Sequence, residues 1–137
     1  MAEKRGSHAH ALTPPTETRI TEVVFPQQLN HHGTLFGGEA LSMMDRAAFI
    51  AATRRCRSEA VTIAVEQVDY VAPVRHGEIV EVLAHVVATG RTSITVEVSM
   101  VGEELLSGQR RLCGTGRFVF VAVDDDGQPI PVRPLAQ

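Results

Sequence analysis

The run Asn30-His31-His32-Gly33-Thr34-Leu35-Phe36-Gly37-Gly38, followed by Glu39-Ala40-Leu41-Ser42-Met43-Met44-Asp45, joins a glycine-rich turn to a largely apolar helix that carries one acid. Gly37 and Gly38 leave backbone amides unobstructed where a helix begins. The N–H groups of a first helical turn have no intrahelical acceptor, so they are open to a ligand oxygen. Asp45 follows about two turns later. An acid and a row of fixed donors on one element read as a reactive site.

A helical wheel from Glu39 places the acid. Ala40, Met43, Met44, Ala47, Ala48, Ile50 and Ala51 cover a broad apolar arc, with Glu39, Ser42, Arg46 and Thr53 opposite. Asp45 falls at the edge, between Leu41 and Ala52 on one flank and Phe49 on the other. Held against such neighbours a carboxylate loses hydration, which disfavours its charged form and makes it a better proton acceptor. Reaching past them to water, it is an ordinary boundary acid. The wheel alone leaves both readings open.

The elements that position this site follow from the period of the pattern. Residues 1–16 are polar and proline-bearing and read as a flexible tail, and 17–137 read as one domain. His8 and His10 lie in that tail, without fixed geometry or further ligands for a metal. Thr18 to Phe25 reads as a first strand ended by Pro26, and the loop and helix then run to about Arg57. From Val61 the period becomes two, with Val61, Ile63 and Val65 on one face and Thr62, Ala64 and Glu66 on the other, until Pro73. Glu78 to Ala88 and Thr92 to Val101 repeat the pattern across a hairpin-sized connection, Gln109 to Val123 makes a last long strand, and Asp124 to Gly127 a turn. No helix separates successive strands, so the sheet is antiparallel and the class α+β. A helix this apolar must be covered by the sheet, and Ala47, Ala48, Ala51 and Ala52 let the two approach closely, so a charge at Ala48 is expected to prevent soluble folding.

Composition bounds the partners. The chain has 137 residues, a formal charge of −3, one Tyr and no Trp. That leaves neither a basic field nor stacking platforms for nucleic acid. A domain of this size gains by burying an exposed face against another copy. No stretch is long and apolar enough for a bilayer span and the first residues lack a secretory pattern, so a cytoplasmic location is expected. Cys56 and Cys113 have neither metal-ligand spacing nor the density of a disulfide scaffold, and read as reduced, structural thiols.

The Asn-x-x-Gly-x-x-Phe-Gly-Gly run followed by Met-Asp resembles the signature of the hotdog-fold acyl-CoA thioesterases, specifically the short bacterial hydrolases related to brain acyl-CoA hydrolase. The likeness runs from about Arg19 to about Pro131. It includes Val61-Thr62-Ile63-Ala64-Val65-Glu66, Ala72-Pro73-Val74-Arg75-His76-Gly77-Glu78, Gly90-Arg91-Thr92-Ser93 and Phe118-Val119-Phe120-Val121-Ala122-Val123-Asp124, in the family's order. The resemblance implies an antiparallel sheet wrapped around one long helix, an acyl-CoA substrate, no separate cofactor, no metal, and an active site at the interface of a homodimer that assembles further into a tetramer or hexamer. It implies that Asp45 acts on the thioester, either deprotonating water or attacking directly, and that amides at Gly37 and Gly38 hold the developing oxyanion. Asn30 matches the motif's asparagine, with a catalytic role in orienting water or donating to the carbonyl, or a local role capping the turn. Arg91, Thr92 and Ser93 match the turn expected to meet the nucleotide end of coenzyme A.

His31 and His32, adjacent in an extended segment, are expected to point to opposite sides and to serve as loop residues near the substrate. Ser42 reads as a solvated helix residue. Thr34 and Glu39 depart from the family pattern toward a more polar pocket entrance, which leaves acyl-chain preference undetermined. A hotdog domain can also bind acyl-CoA without turning it over, as a sensor, and only a placed Asp45 distinguishes the two functions.

Overall fold

Twenty residues, Gly37–Cys56, form the helix α1. Its buried side, Ala40, Met43, Met44, Ala47, Ala48, Ala51, Ala52 and Cys56, is the apolar arc of the wheel, except that Ile50 is only half-buried. Arg57 ends it in the left-handed region (φ 50°), its N–H donating to the Thr53 carbonyl, and the chain reverses at once into the sheet.

The computed structural model describes Leu12 and residues 15–135. His8, His10 and most of the expected tail lie outside the described residues. Five strands surround α1: β1 (Glu17–Val23), β2 (Glu59–Tyr70), β3 (Ile79–Thr89), β4 (Ser93–Glu103) and β5 (Arg110–Val123). They form one sheet in the order β1-β3-β4-β5-β2, with each neighbouring pair antiparallel. Val80, Val82, Ala84, Ile94, Val96, Val98, Met100, Phe118, Phe120 and Ala122 alternate inward along the three central strands and close over the helix. Ala48 has no exposed surface. Its methyl group therefore leaves no room for an ammonium or carboxylate.

Two expectations are corrected. β1 stops at Val23 rather than Phe25, because the Val24 N–H donates to the Glu78 carbonyl and Phe25 already caps a 3-10 turn at Pro26–Gln28. The strict alternation of β2 also fails. Register shifts between Thr62 and Ala64 and between Glu66 and Asp69, the second next to Gln67 at φ 51°, insert extra residues into the strand. Val61, Ile63 and Val65 are 47%, 58% and 45% exposed, because β2 is an edge strand reaching past the helix.

Candidate active site

The loop before α1 is organised by Asn30. Its Oδ1 accepts from the Thr34 N–H, the Thr34 hydroxyl and the His32 N–H, while the Asn30 N–H donates to the Thr34 carbonyl. Gly33 closes the turn at φ 78°, a conformation that suits glycine. The turn also corrects the expected splay of His31 and His32: the segment is curled, not extended, and the exposed rings lie 3.9 Å apart, tilted by 41°. Asn30 thus performs the local role of its oxygen. Among the described residues its Nδ2 meets no acceptor.

A second loop braces the first. The Leu35 N–H donates to the Val74 carbonyl, the His76 N–H to the Gly33 carbonyl, and Thr34 bridges Arg75. Glu78 anchors this loop by accepting from the Arg75 N–H and from Arg111 Nη1 (3.0 Å). The Arg111 guanidinium holds the Glu78 carboxyl below the usual carboxylate range. Two loops so tied deliver Gly37 and Gly38 to the start of α1.

That start is bare. Phe36, the N-cap residue, offers no side-chain cap, and among the described residues the amides of Gly37, Gly38 and Glu39 donate to nothing. A Cβ on Gly38 would meet no atom within 4 Å, so the approach is open. Unsatisfied donors at the positive end of a helix dipole suit an oxygen carrying negative charge.

Asp45 is half-buried two turns along α1, and Thr62 Oγ1 donates to its Oδ1 at 2.9 Å. The other carboxylate oxygen has no protein donor among the described residues. Thr62 was not singled out from the sequence as a site residue. Its place on the polar face of β2 was legible there, but its reach to α1 was not. Tyr70, at the far end of β2, donates its hydroxyl to the Gly37 carbonyl at 2.8 Å. One edge strand therefore touches the helix at the acid and at the bare first turn.

The helix also separates these groups. Eight residue steps separate Gly37 from Asp45, an axial rise of about 12 Å. Reacting atoms must come within about 3.5 Å, so one carbonyl cannot meet both in a single copy. The groove of about 540 Å³ bordered by Asp69, His85, Glu97 and Arg117 does not supply the site either. Those polar side chains stand on the sheet face away from α1, and Asp45 does not line it.

At the hairpin Gly90–Ser93, the Gly90 N–H donates to the Ser93 carbonyl, and a Cβ on Gly90 would sit 2.6 Å from Ser93 Oγ, which accounts for glycine there. The Arg91 carbonyl accepts from the Val132 N–H, while its guanidinium is exposed and makes no ion pair among the described residues. Arg55 reaches the same C-terminal segment, donating to the Arg133 carbonyl at 2.6 Å. Ser93 pairs with Val121, which pairs with Val61, so this turn lies at the Thr62 end of the sheet, about 10 Å across two strands. Ser42 is exposed and accepts from Arg46. Cys56 and Cys113 are buried and unpaired, with burial pushing the Cys113 thiol up. Among the described residues no helix is long and apolar enough to cross a membrane, and no three metal-ligating side chains cluster.

The family model described as "Thioesterase superfamily" matches residues 32–108, which takes in the glycine turn, Asp45, Thr62, Tyr70 and the Arg91 hairpin. The chain belongs to this superfamily. An uncharacterized acyl-CoA thioester hydrolase of Bacillus subtilis, YkhA, is 40% identical over 82% of this chain, which spans 65% of that relative's length. The hexameric thioesterase y2039 from Yersinia pestis is 30% identical with a TM-score of 0.82, over 89% of this chain and all of that one. The acyl-CoA hydrolase from Staphylococcus aureus, solved with butyryl coenzyme A and coenzyme A, is 30% identical with a TM-score of 0.81, over 89% and 76%. That hydrolase was also solved with an aspartate, and separately a threonine seventeen positions later, changed to alanine. Asp45 and Thr62 stand at the same separation. The superfamily fold is the hotdog, here an antiparallel sheet around α1.

Proposed function

We propose that this protein hydrolyses acyl-CoA thioesters to the free carboxylate and coenzyme A, with Asp45 of one copy and the helix N-terminus of a second copy acting on the same carbonyl. The observation that carries the proposal is the layout of β2: Thr62 with Asp45 at one end, Tyr70 with Gly37 at the other, on an edge that is unpaired among the described residues and bears exposed Val61, Ile63 and Val65. A long apolar edge strand is a surface that native proteins cover. Antiparallel pairing of β2 with the same strand of a second copy, about a two-fold axis near Glu66, sets Thr62 of each beside Tyr70 of the other. The carboxylate of one helix then faces the bare amides of its neighbour. The chemistry needs that arrangement, and a single copy does not have it.

In one route Asp45 takes a proton from water, the hydroxide forms the C–O bond, the C–S bond breaks, and the thiolate leaves as a thiol with that proton. In the other the carboxylate itself attacks, expelling the thiolate, and water opens the mixed anhydride. In both, the Gly37 and Gly38 amides hold the charge on the carbonyl oxygen, and Asn30 Nδ2 is available to donate to the water or the carbonyl. Thr62 fixes one carboxylate oxygen and leaves the other for reaction. Arg91, with Thr92 and Ser93, meets the phosphates at the nucleotide end. The reaction needs no cofactor besides the coenzyme A of the substrate, and we place it in the cytoplasm, where unpaired cysteines stay reduced.

The test is thiol release from acyl-CoAs of graded chain length by the purified protein and its Asp45→Ala variant. The variant is expected to keep its fold and assembly and to lose at least about a hundredfold in kcat. Undiminished hydrolysis removes Asp45 from the chemistry, and tight acyl-CoA binding without turnover by the unaltered protein makes it a sensor. Single turnover in ¹⁸O-water tests direct attack, because label in the Asp45 carboxylate arises only when water opens a mixed anhydride at the aspartyl carbonyl.

A further inference from the structure

Tyr70 ends β2 just after its second bulge, with Gly114 of β5 as its register partner. The bulge turns its side chain onto the first turn of α1. There the hydroxyl donates to the Gly37 carbonyl at 2.8 Å, and the ring edge lies 3.7 Å from where a Cβ on Gly37 would stand. This is the one side-chain hydrogen bond that the described residues make to the first helical turn.

The bond matters because of what it holds. The Gly37 carbonyl and the Gly38 N–H belong to one planar peptide unit and point in opposite directions. Fixing the carbonyl therefore fixes the direction of the amide. Within the helix this carbonyl is bonded by the amide four residues on, and the Tyr70 hydroxyl adds a tie to the sheet in a turn that begins with two glycines, which lose the most conformational freedom on ordering, and that Phe36 leaves without a side-chain cap. Fixed donors stabilise a developing oxyanion because they need no reorganisation as charge appears, and mobile ones forfeit that advantage.

We infer that Tyr70 is a positioning residue for thioester hydrolysis, its hydroxyl holding the Gly37–Gly38 peptide so that the Gly38 amide is aimed at the carbonyl oxygen. The inference rests on the proposed role of these amides. Tyr70 does not touch the reacting atoms. It acts through the peptide it holds.

The experiment compares Tyr70→Phe, which keeps the ring and removes the hydroxyl, with Gly37→Pro. Proline fits the first helical position, and the extended Phe36 (ψ 136°) is the conformation a residue before proline prefers. Tyr70→Phe is expected to lower kcat about tenfold with KM within about twofold, and to leave the melting temperature and assembly unchanged. A trifluoromethyl ketone analogue of acyl-CoA, whose hydrate mimics the tetrahedral intermediate, is expected to bind more weakly by the same factor, with coenzyme A binding unaltered. If Tyr70→Phe keeps full kcat while Gly37→Pro loses it, the positioning role is overturned and the role of the amides stands. If both keep full kcat, the positioning role is overturned and the Gly37 amide is excluded as a donor. A loss of kcat in Tyr70→Phe accompanied by a matching loss of melting temperature or assembly also overturns positioning, since it marks a structural role.

Discussion

Thr62 donates its hydroxyl to Asp45 across 2.9 Å, joining the sheet's outermost strand to the middle of the helix it wraps. The bond leaves one carboxylate oxygen held and the other unengaged among the described residues. Thr62→Val keeps the branched shape and removes the donor. Because Thr62 is exposed, the fold should survive. We expect kcat to fall by about tenfold or more with little change in KM, measured by thiol release alongside circular dichroism. A rise in KM at constant kcat would assign Thr62 to substrate binding instead.

The 12 Å rise between Gly37 and Asp45 makes a second prediction. Asp45→Ala and Gly37→Pro should each be inactive, and subunits of both kinds, co-expressed with different tags, should regain activity. In a mixed two-fold dimer one of the two sites combines an intact acid with intact amides, so random mixing should restore about a quarter of the unaltered activity. No recovery would mean that each copy builds its site alone.

Arg91 presents an exposed guanidinium without an acidic partner among the described residues. Arg91→Ala should raise KM for acyl-CoA roughly five- to tenfold and alter kcat less, as expected for a solvent-exposed contact to phosphate. A pantetheine thioester, which lacks the nucleotide, should not distinguish the variant from the unaltered protein. Equal losses with both substrates would exclude Arg91 from the nucleotide end.

Much of this was legible along the chain. The apolar arc of α1 and the uninterrupted succession of strands specified a buried helix under an antiparallel sheet, because a 3.6-residue and a two-residue period record which face each element hides. The Asn30–Asp45 motif likewise marked the glycine turn and its acid. Local rules misled in two places. His31 and His32 were read as extended, whereas Asn30 spends its side-chain oxygen on a turn that brings them together. Val61, Ile63 and Val65 were read as one regular face, whereas two bulges and an edge position leave them uncovered.

What sequence by itself determined was therefore the set of elements and the groups able to do chemistry, since propensity, period and motif act over a few neighbouring residues. Only the tertiary structure decided which of those groups meet. Strand β2 lies at the sheet's edge through its pairing with β5, and its bulges aim Thr62 and Tyr70 at two points of α1. Such contacts join residues distant in the chain, and their geometry is fixed by sheet register and helix rise, which no local pattern encodes.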